Sequence, residues 1–330
     1  MKILAVCGSN GSWYYCLRRH IVANIEPRSV FYTPNQIQWS LNFKSPYYKS
    51  LDEYNGEADI IIGAPDCGPS SILSYSRAKK LGNPKENLSM MTFINSINKF
   101  KPSLFIMENL PKLLDLITEK EFNEYFKGEY ELDIMIENVS KFGNSQVSRH
   151  RLIMVGRKKG LGIPKLRIFP VRRIKTSRAL LYLSRRIKNK EKYFCLSEPL
   201  GTVVCMSYAH KKLNLQEVRD LWTGEYKDRY KWPVNDNPRL KTLPGVYRNR
   251  PNGFPMTVRK QNRQFNWDGT MMSPRDMAFI QGIPLGFKLW YDPERFIYSI
   301  NKARTTVSKC PPFEIGLWIK RALKDIKNIL

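Results

Sequence analysis

Acidic residues are scarce in this 330-residue chain: 29 Asp and Glu stand against 55 Lys and Arg, for a formal net charge of +26. An excess of that size exceeds what solubility requires and points to a polyanionic partner, with nucleic acid ahead of a membrane surface. Long apolar runs are lacking too. Nothing approaches the ~20 residues of a spanning helix, and no long basic amphipathic helix precedes the C-terminus, which argues against a membrane protein. The six cysteines (Cys7, Cys16, Cys67, Cys195, Cys205, Cys310) include no Cys-x-x-Cys pair, and no histidine stands at metal-ligand spacing. The expectation is therefore a reducing cytoplasm, no metal and no disulfide framework. Internal repeats and low-complexity tracts are absent. The opening MKILAVCGSNG carries no small-residue cleavage pattern after its apolar run, so it reads as a first strand rather than a signal peptide.

What remains is an ordinary globular composition, 42% hydrophobic and 12% aromatic, long enough for one large domain and a smaller one. Short apolar runs at Ile3 to Cys7, Ser29 to Thr33, Asp59 to Ala64, Leu104 to Met107, Leu132 to Ile136 and Leu152 to Val155 read as strands. Between them Leu88, Met91, Ile94 and Ile97 recur at a helical interval, and PKLLDLITEKEFNEYF (111–126) opens on proline with an apolar stripe. This alternation predicts an α/β fold with a doubly wound, mostly parallel sheet. Ligands of such sheets bind beyond the carboxyl ends of the strands, where Gly8 to Gly11, Cys67 and Glu108 all fall.

Beyond Gly156 the texture changes. Residues 157–190 hold thirteen Lys or Arg and no acid, and residues 237–263 are acid-free again. One such run is as readily a solvated face. Two, interleaved with Tyr247, Phe254, Phe265 and Trp267, favour a nucleic-acid surface, with Arg172, Arg173, Lys175, Arg248, Arg250, Arg259 and Lys260 as its candidate contacts. The tail PPFEIGLWIKRALKDIKNIL predicts a closing amphipathic helix with Lys320, Arg321, Lys324 and Lys327 mostly outward.

Cys67, in GAPDCGPSS, is the candidate nucleophile. A sulfur at a strand end can attack an electron-poor ring carbon and later leave, although a loop cysteine is by itself more often structural. Glu108 ends the next strand in SLFIMENLPKLL and sets a carboxyl on the same rim; alone it would read as a carboxylate favoured by a helix start. Arg149 and Arg151 alternate into a strand in FGNSQVSRHRLIMVG, so they share a face and could hold a carboxylate, a phosphate or a base edge. Exposed arginines of an edge strand are the alternative.

These residues resemble, in order, the signatures of the DNA cytosine-5 methyltransferase family. The Pro-Cys nucleophile loop is matched by IIIGAPDCGPSS, Glu-Asn-Val by FIMENL, and Gln-x-Arg-x-Arg by SRHRLIMVG. MMSPRDMAFIQGIP (271–284) is similar to the segment that returns the chain to the catalytic domain. The resemblance implies a catalytic domain at 1–160, a basic target-recognition domain at 161–275 and a C-terminal segment at 276–330 that rejoins the first. It also implies S-adenosylmethionine as cofactor and double-stranded DNA as partner, with the chain acting as a monomer. Cys67 would attack C6 of a flipped-out cytosine. Glu108 would contact N3 and the exocyclic amine, Arg149 and Arg151 would hold the base and fix the catalytic loop, and Asn109 would brace the Glu108 loop. Val6, Gly8, Ser9, Asn10, Gly11 and Pro65 match the cofactor-binding positions.

The chain departs from the family in several places. Val6 replaces an aromatic and Asn10 a glycine, whose positive φ an asparagine tolerates. SVFYTPNQIQ, after the expected second strand, lacks the acid that binds ribose hydroxyls. VSKCPP (307–312) replaces Gly-Asn-x-Val-Pro-Pro. Val147 takes the aligned Gln position, so no role passes to Gln146. Asp66 replaces the proline before the nucleophile, and its carboxylate should raise the thiol's pKa unless a cation such as Arg149 offsets it. Two alternatives therefore stand beside the DNA enzyme: a silent relative retained for nucleic-acid binding or regulation, and an RNA cytosine-5 methyltransferase.

Overall fold

Runs of branched and aromatic side chains with few polar interruptions build the centre of the molecule. The computed structural model describes residues 1–27, 32–66, 87–146, 149–169, 171, 247–248, 264–265, 274–284, 286–289 and 306–329. Its strands are β1 (Ile3–Val6), β2 (Ile21–Ile25), β3 (Tyr47–Tyr48), β4 (Ile60–Gly63), β5 (Leu104–Asn109), β6 (Tyr130–Asn138) and β7 (His150–Lys158), with a separate short pair, β8 (Tyr247–Arg248) and β9 (Gln264–Phe265). β1, β4 and β5 are buried along their whole length, as strands covered on both faces must be.

The first seven strands form one sheet in the order β3-β2-β1-β4-β5-β7-β6. β1 to β5 pair in parallel, whereas β7 runs antiparallel to both β5 and β6. This is the mostly parallel α/β sheet predicted from the sequence. Val6 lies opposite Gly63, and Gly63 opposite Met107, so β1 and β4 end level, β5 runs two residues further, and their loops share one rim.

One predicted strand is corrected. The second strand is Ile21–Ile25, not Ser29 to Thr33; residues 28–31 lie outside the described chain, and Tyr32 and Thr33 open helix α1 (Tyr32–Asn42). SVFYT has the higher local strand propensity, yet IVANI takes the place between β1 and β3 because both pair with it.

Helix α2 (Leu88–Phe100) starts where the Asn87 side chain accepts from the N–H groups of Ser89 and Met90, and it ends on Lys101 in the left-handed region. Its buried face is Met90, Phe93, Ile94 and Ile97, a slight rotation from the predicted stripe that leaves Leu88 60% exposed. The single helix expected over 111–126 is two pieces, a 3₁₀ turn at Pro111–Asp115 and α3 (Glu119–Tyr125). A capping box of Thr118 and Glu121 opens the second piece. After α4 (Pro274–Ile280) comes helix α5 (Phe313–Asp325), with Phe313, Ile319 and Leu323 inward and Lys320, Arg321, Lys324 and Lys327 exposed, as expected, while Trp318 rather than its half-buried neighbour Leu317 completes the inward face.

The chain divides into two compact units. One comprises Met1–Gly143, Arg149–Arg172 and Cys310–Leu330; the other comprises Asn144–Ser148 and Arg173–Lys309. The first contains the seven-stranded sheet and α5. Among the described residues no helix is long and apolar enough to cross a membrane, and no group of three or more His, Cys, Asp or Glu could hold a metal ion.

Candidate active site

The loop after β1 gathers three positive-φ residues within five positions. Cys7 and Ser9 both take φ of 55° and Gly11 takes 76°, a sequence of left-handed residues that turns the chain sharply before the 3₁₀ turn Ser12–Leu17. The positive φ expected at Asn10 thus falls on its neighbours. Asn10 itself is fully buried, and its Oδ1 accepts from the Ser12 N–H (3.0 Å) and from the Cys310 thiol (2.8 Å). Burial pushes the Cys310 pKa up to about 11, which keeps the thiol a donor. Gly8 admits no side chain, because a Cβ would lie 1.6 Å from the Tyr14 hydroxyl. Its N–H donates to Asn24 Oδ1 at 3.2 Å. Val6 is fully buried among core side chains. Trp39 stacks on Phe43 behind the loop, with centroids 4.0 Å apart.

Relocating the second strand reveals an acid that the sequence reading missed. Glu26 directly follows β2, and its Oε2 accepts the Ser9 N–H at 2.9 Å. A carboxylate at the end of the second strand, beside a glycine-bearing turn after the first, is the arrangement that grips ribose hydroxyls in doubly wound folds. Beside it lies a cavity of about 440 Å³ lined by Pro27, Ser50, Leu51, Leu88, Thr92 and Asn95, among others. The lining also includes Lys49 and Glu53, so the cavity is of mixed polarity, and it adjoins Glu26 through Pro27.

Across the rim, Glu108 near the end of β5 is buried and pairs with the partly buried Arg151 of β7, whose Nε lies 2.7 Å from Glu108 Oε1. Burial raises the Glu108 pKa from its ordinary value, and the charges of Arg151 and Arg149 only partly offset it. Arg149 is also buried, but its Nη2 donates to the carbonyl of Cys310 at 3.0 Å. The two arginines therefore divide their work. Asn109 Nδ2 donates to the carbonyl of Pro65 at 3.1 Å while its Oδ1 accepts from the Leu110 N–H, so it braces the loop after β4 rather than only its own. Asp66 is exposed, and its N–H donates to Ser89 Oγ at 2.7 Å. The described chain stops there, one residue before Cys67, which lies outside the described residues.

The family model for the C-5 cytosine-specific DNA methylase matches residues 31–301. The chain belongs to this family. Among curated relatives, the Type II methyltransferase M.Bpa9945I of Bacillus paralicheniformis is 33% identical over 67 residues, 20% of this chain. M1.HgaI of Avibacterium volantium is 27% identical over 116 residues, 31% of this chain. The matches span 15% and 31% of those two proteins. Among solved structures, a prophage-encoded DNA modification methyltransferase from E. coli superposes with a TM-score of 0.64 at 15% identity, over 99% of both chains. The methyltransferase EhMeth of Entamoeba histolytica gives 0.63 at 13% identity, over 98% of both. Their identities are low, and the likeness establishes the methyltransferase fold.

Within this C-5 methylase fold, Gln146 sits in the second unit, fully buried. Its Nε2 donates to Asn144 Oδ1 (3.0 Å) and Gln281 Oε1 (2.9 Å), and Gln281 Nε2 donates to the Val307 carbonyl at 3.2 Å. This amide network fastens Asn144–Ser148 to the segment after α4, a role no spacing rule would have found. Arg172, Arg173, Lys175, Arg250, Arg259 and Lys260 lie outside the described residues. Arg248 is described only as backbone, in β8.

Proposed function

We propose that this chain is a DNA cytosine-5 methyltransferase that uses S-adenosylmethionine and forms a covalent adduct between Cys67 and C6 of a flipped-out cytosine. The observation that carries the reading is Glu108, a buried carboxyl with a raised pKa, held by Arg151 at the rim where the loop bearing Cys67 begins. A carboxyl whose pKa is raised by burial passes a proton to a ring nitrogen more readily at higher pH than a free one, and a proton on N3 is what attack on C6 requires.

In the mechanism, the Cys67 thiolate forms the S–C6 bond as the 5,6 double bond opens toward N3, and Glu108 protonates N3. Arg151 fixes the Glu108 carboxyl in one orientation, and Asn109 holds Pro65 so that the nucleophile loop approaches the ring from a set direction. The sulfonium cofactor, when bound, supplies an electrophilic methyl group to the activated C5. Glu26 would hold its ribose hydroxyls and the left-handed turn at Cys7–Gly11 its amino-acid end, with the adenine in the cavity beside Leu51 and Leu88. Loss of the C5 proton, cleavage of the S–C6 bond and return of the N3 proton to Glu108 restore the aromatic ring, the thiolate and the acid.

The basic segment 161–275 would read the duplex, a role supported by its charge and aromatic content. The two relatives named Type II methyltransferases favour a modification enzyme of a restriction system. Glu26 weakens the case for a silent relative, since one of the cofactor departures is gone.

The test is incubation with S-adenosylmethionine and duplex DNA carrying 5-fluorocytosine at many sequence contexts. Fluorine cannot leave C5 as a proton does, so a covalent protein–DNA species should accumulate and vanish in Cys67→Ser. Ordinary DNA affinity with no adduct in any sequence pool would sink the enzymatic reading. An adduct with RNA alone would move the substrate to RNA.

A further inference from the structure

Asp66 stands where the family places a proline, and proline has no N–H to offer. The Asp66 N–H is in use: it donates to Ser89 Oγ at 2.7 Å, and that hydroxyl donates onward to Asn87 Oδ1 at 2.8 Å. The same Asn87 oxygen receives the N–H groups of Ser89 and Met90 at 2.9 and 3.2 Å, so the acceptor is fixed by the first turn of α2. One residue earlier, the Pro65 carbonyl is held by Asn109 from β5. Ser89 also reaches the cofactor-side loop, since its carbonyl accepts from the Cys7 thiol at 3.2 Å. Burial raises the Cys7 pKa well above its ordinary value and keeps that thiol protonated.

We propose that Ser89 is a positioning residue for the nucleophile: its hydroxyl clamps the peptide before Cys67 and replaces, by a hydrogen bond that only a non-proline residue permits, the rigidity a proline would supply by its ring. The side chain at position 66 is thereby secondary to the N–H it uncovers. Ser89 is nearly buried at 9% exposure, and its hydroxyl both donates and accepts. Such a bond, partly buried and anchored in a helix cap, restricts a loop whose next residue must meet a ring carbon at a defined angle.

The inference rests on the proposed chemistry of Cys67, so its test has one arm that does not. Ser89→Ala keeps the Asn87 cap, which still receives two backbone N–H groups, and should fold. Hydrogen exchange at the Asp66 amide should quicken at least tenfold in this variant while Met90 stays protected, and Ser89→Thr should restore the slow rate. In the 5-fluorocytosine assay Ser89→Ala should form adduct about tenfold more slowly with S-adenosylmethionine affinity unchanged, and adding Asp66→Pro to it should recover most of the rate. Unchanged Asp66 exchange in Ser89→Ala would overturn the hydrogen bond. Slow adduct formation that Asp66→Pro fails to recover would overturn the positioning role. If the unaltered protein forms no adduct, the proposed function fails; the Cys67 alkylation rate then decides the positioning role, a rate altered in Ser89→Ala and restored in Ser89→Thr supporting it and equal rates in these two variants and the unaltered protein overturning it.

Discussion

On the side of the rim made by β4, β5 and β7, charge meets charge: Arg151 grips Glu108 at 2.7 Å, and Arg149 is buried close enough to lower the acid's pKa. On the side made by β1 and β2, the contacts are single hydrogen bonds to backbone, from Ser9 to Glu26 and from Gly8 to Asn24, around a turn held in left-handed geometry. The first half is specified by side chains whose chemistry is scarce anywhere in a protein. The second is specified by backbone shape, which many side chains can line. Divergence can therefore erase the cofactor signature from the sequence while leaving its geometry, whereas losing one buried charge of the base half would strand the other.

The largest expected effect tests the charged half. Glu108→Gln should lower single-turnover methyl transfer by about 10²–10⁴-fold, the usual worth of a positioned proton donor. Because burial raises the Glu108 pKa, the active protonated form is lost as pH rises through that value, so the rate should fall on the alkaline side. That falling limb should disappear in Glu108→Gln. A limb that persists unchanged would assign the titration to another group.

The next effect tests the backbone-shaped half. Glu26→Ala should weaken S-adenosylmethionine by about 10- to 100-fold, the worth of hydrogen bonds to a charged group, without altering DNA affinity. Calorimetric titration measures it. Equal cofactor affinity in the variant would show that the half-site works without its acid and that the strand reassignment carries no functional weight. Gly8→Ala follows, at about 1–3 kcal/mol of lost stability by chemical denaturation, because the new methyl must displace the Tyr14 hydroxyl.

The same contrast explains what the sequence made legible. β1, β4, β5, β6 and β7 were readable as apolar runs, and Glu108, Arg149 and Arg151 as rare residue types at strand ends. β2 was not, because Asn24 interrupts IVANI, and only the fold shows that its side chain faces the Gly8 N–H. With the strand placed at Ser29 to Thr33, Glu26 falls before it rather than at its end and carries no signal of its own. Nor could spacing reveal that Arg149 reaches for the Cys310 carbonyl, a contact made across 161 residues.

The smallest effect concerns the carboxylate of Asp66, which stands between the two halves. Its charge is exposed, and water screens an exposed charge heavily. Asp66→Asn removes the charge and keeps the N–H, so the pH at which Cys67 alkylates should fall, but by no more than about half a unit. Asp66→Pro removes both, and in the unaltered Ser89 background it should lower that pH equally while also abolishing the clamp. If Asn and Pro shift the alkylation pH to the same extent yet only Pro relieves Ser89→Ala, the carboxylate and the N–H act separately. A large shift in Asp66→Asn would instead make the charge the dominant influence on the nucleophile.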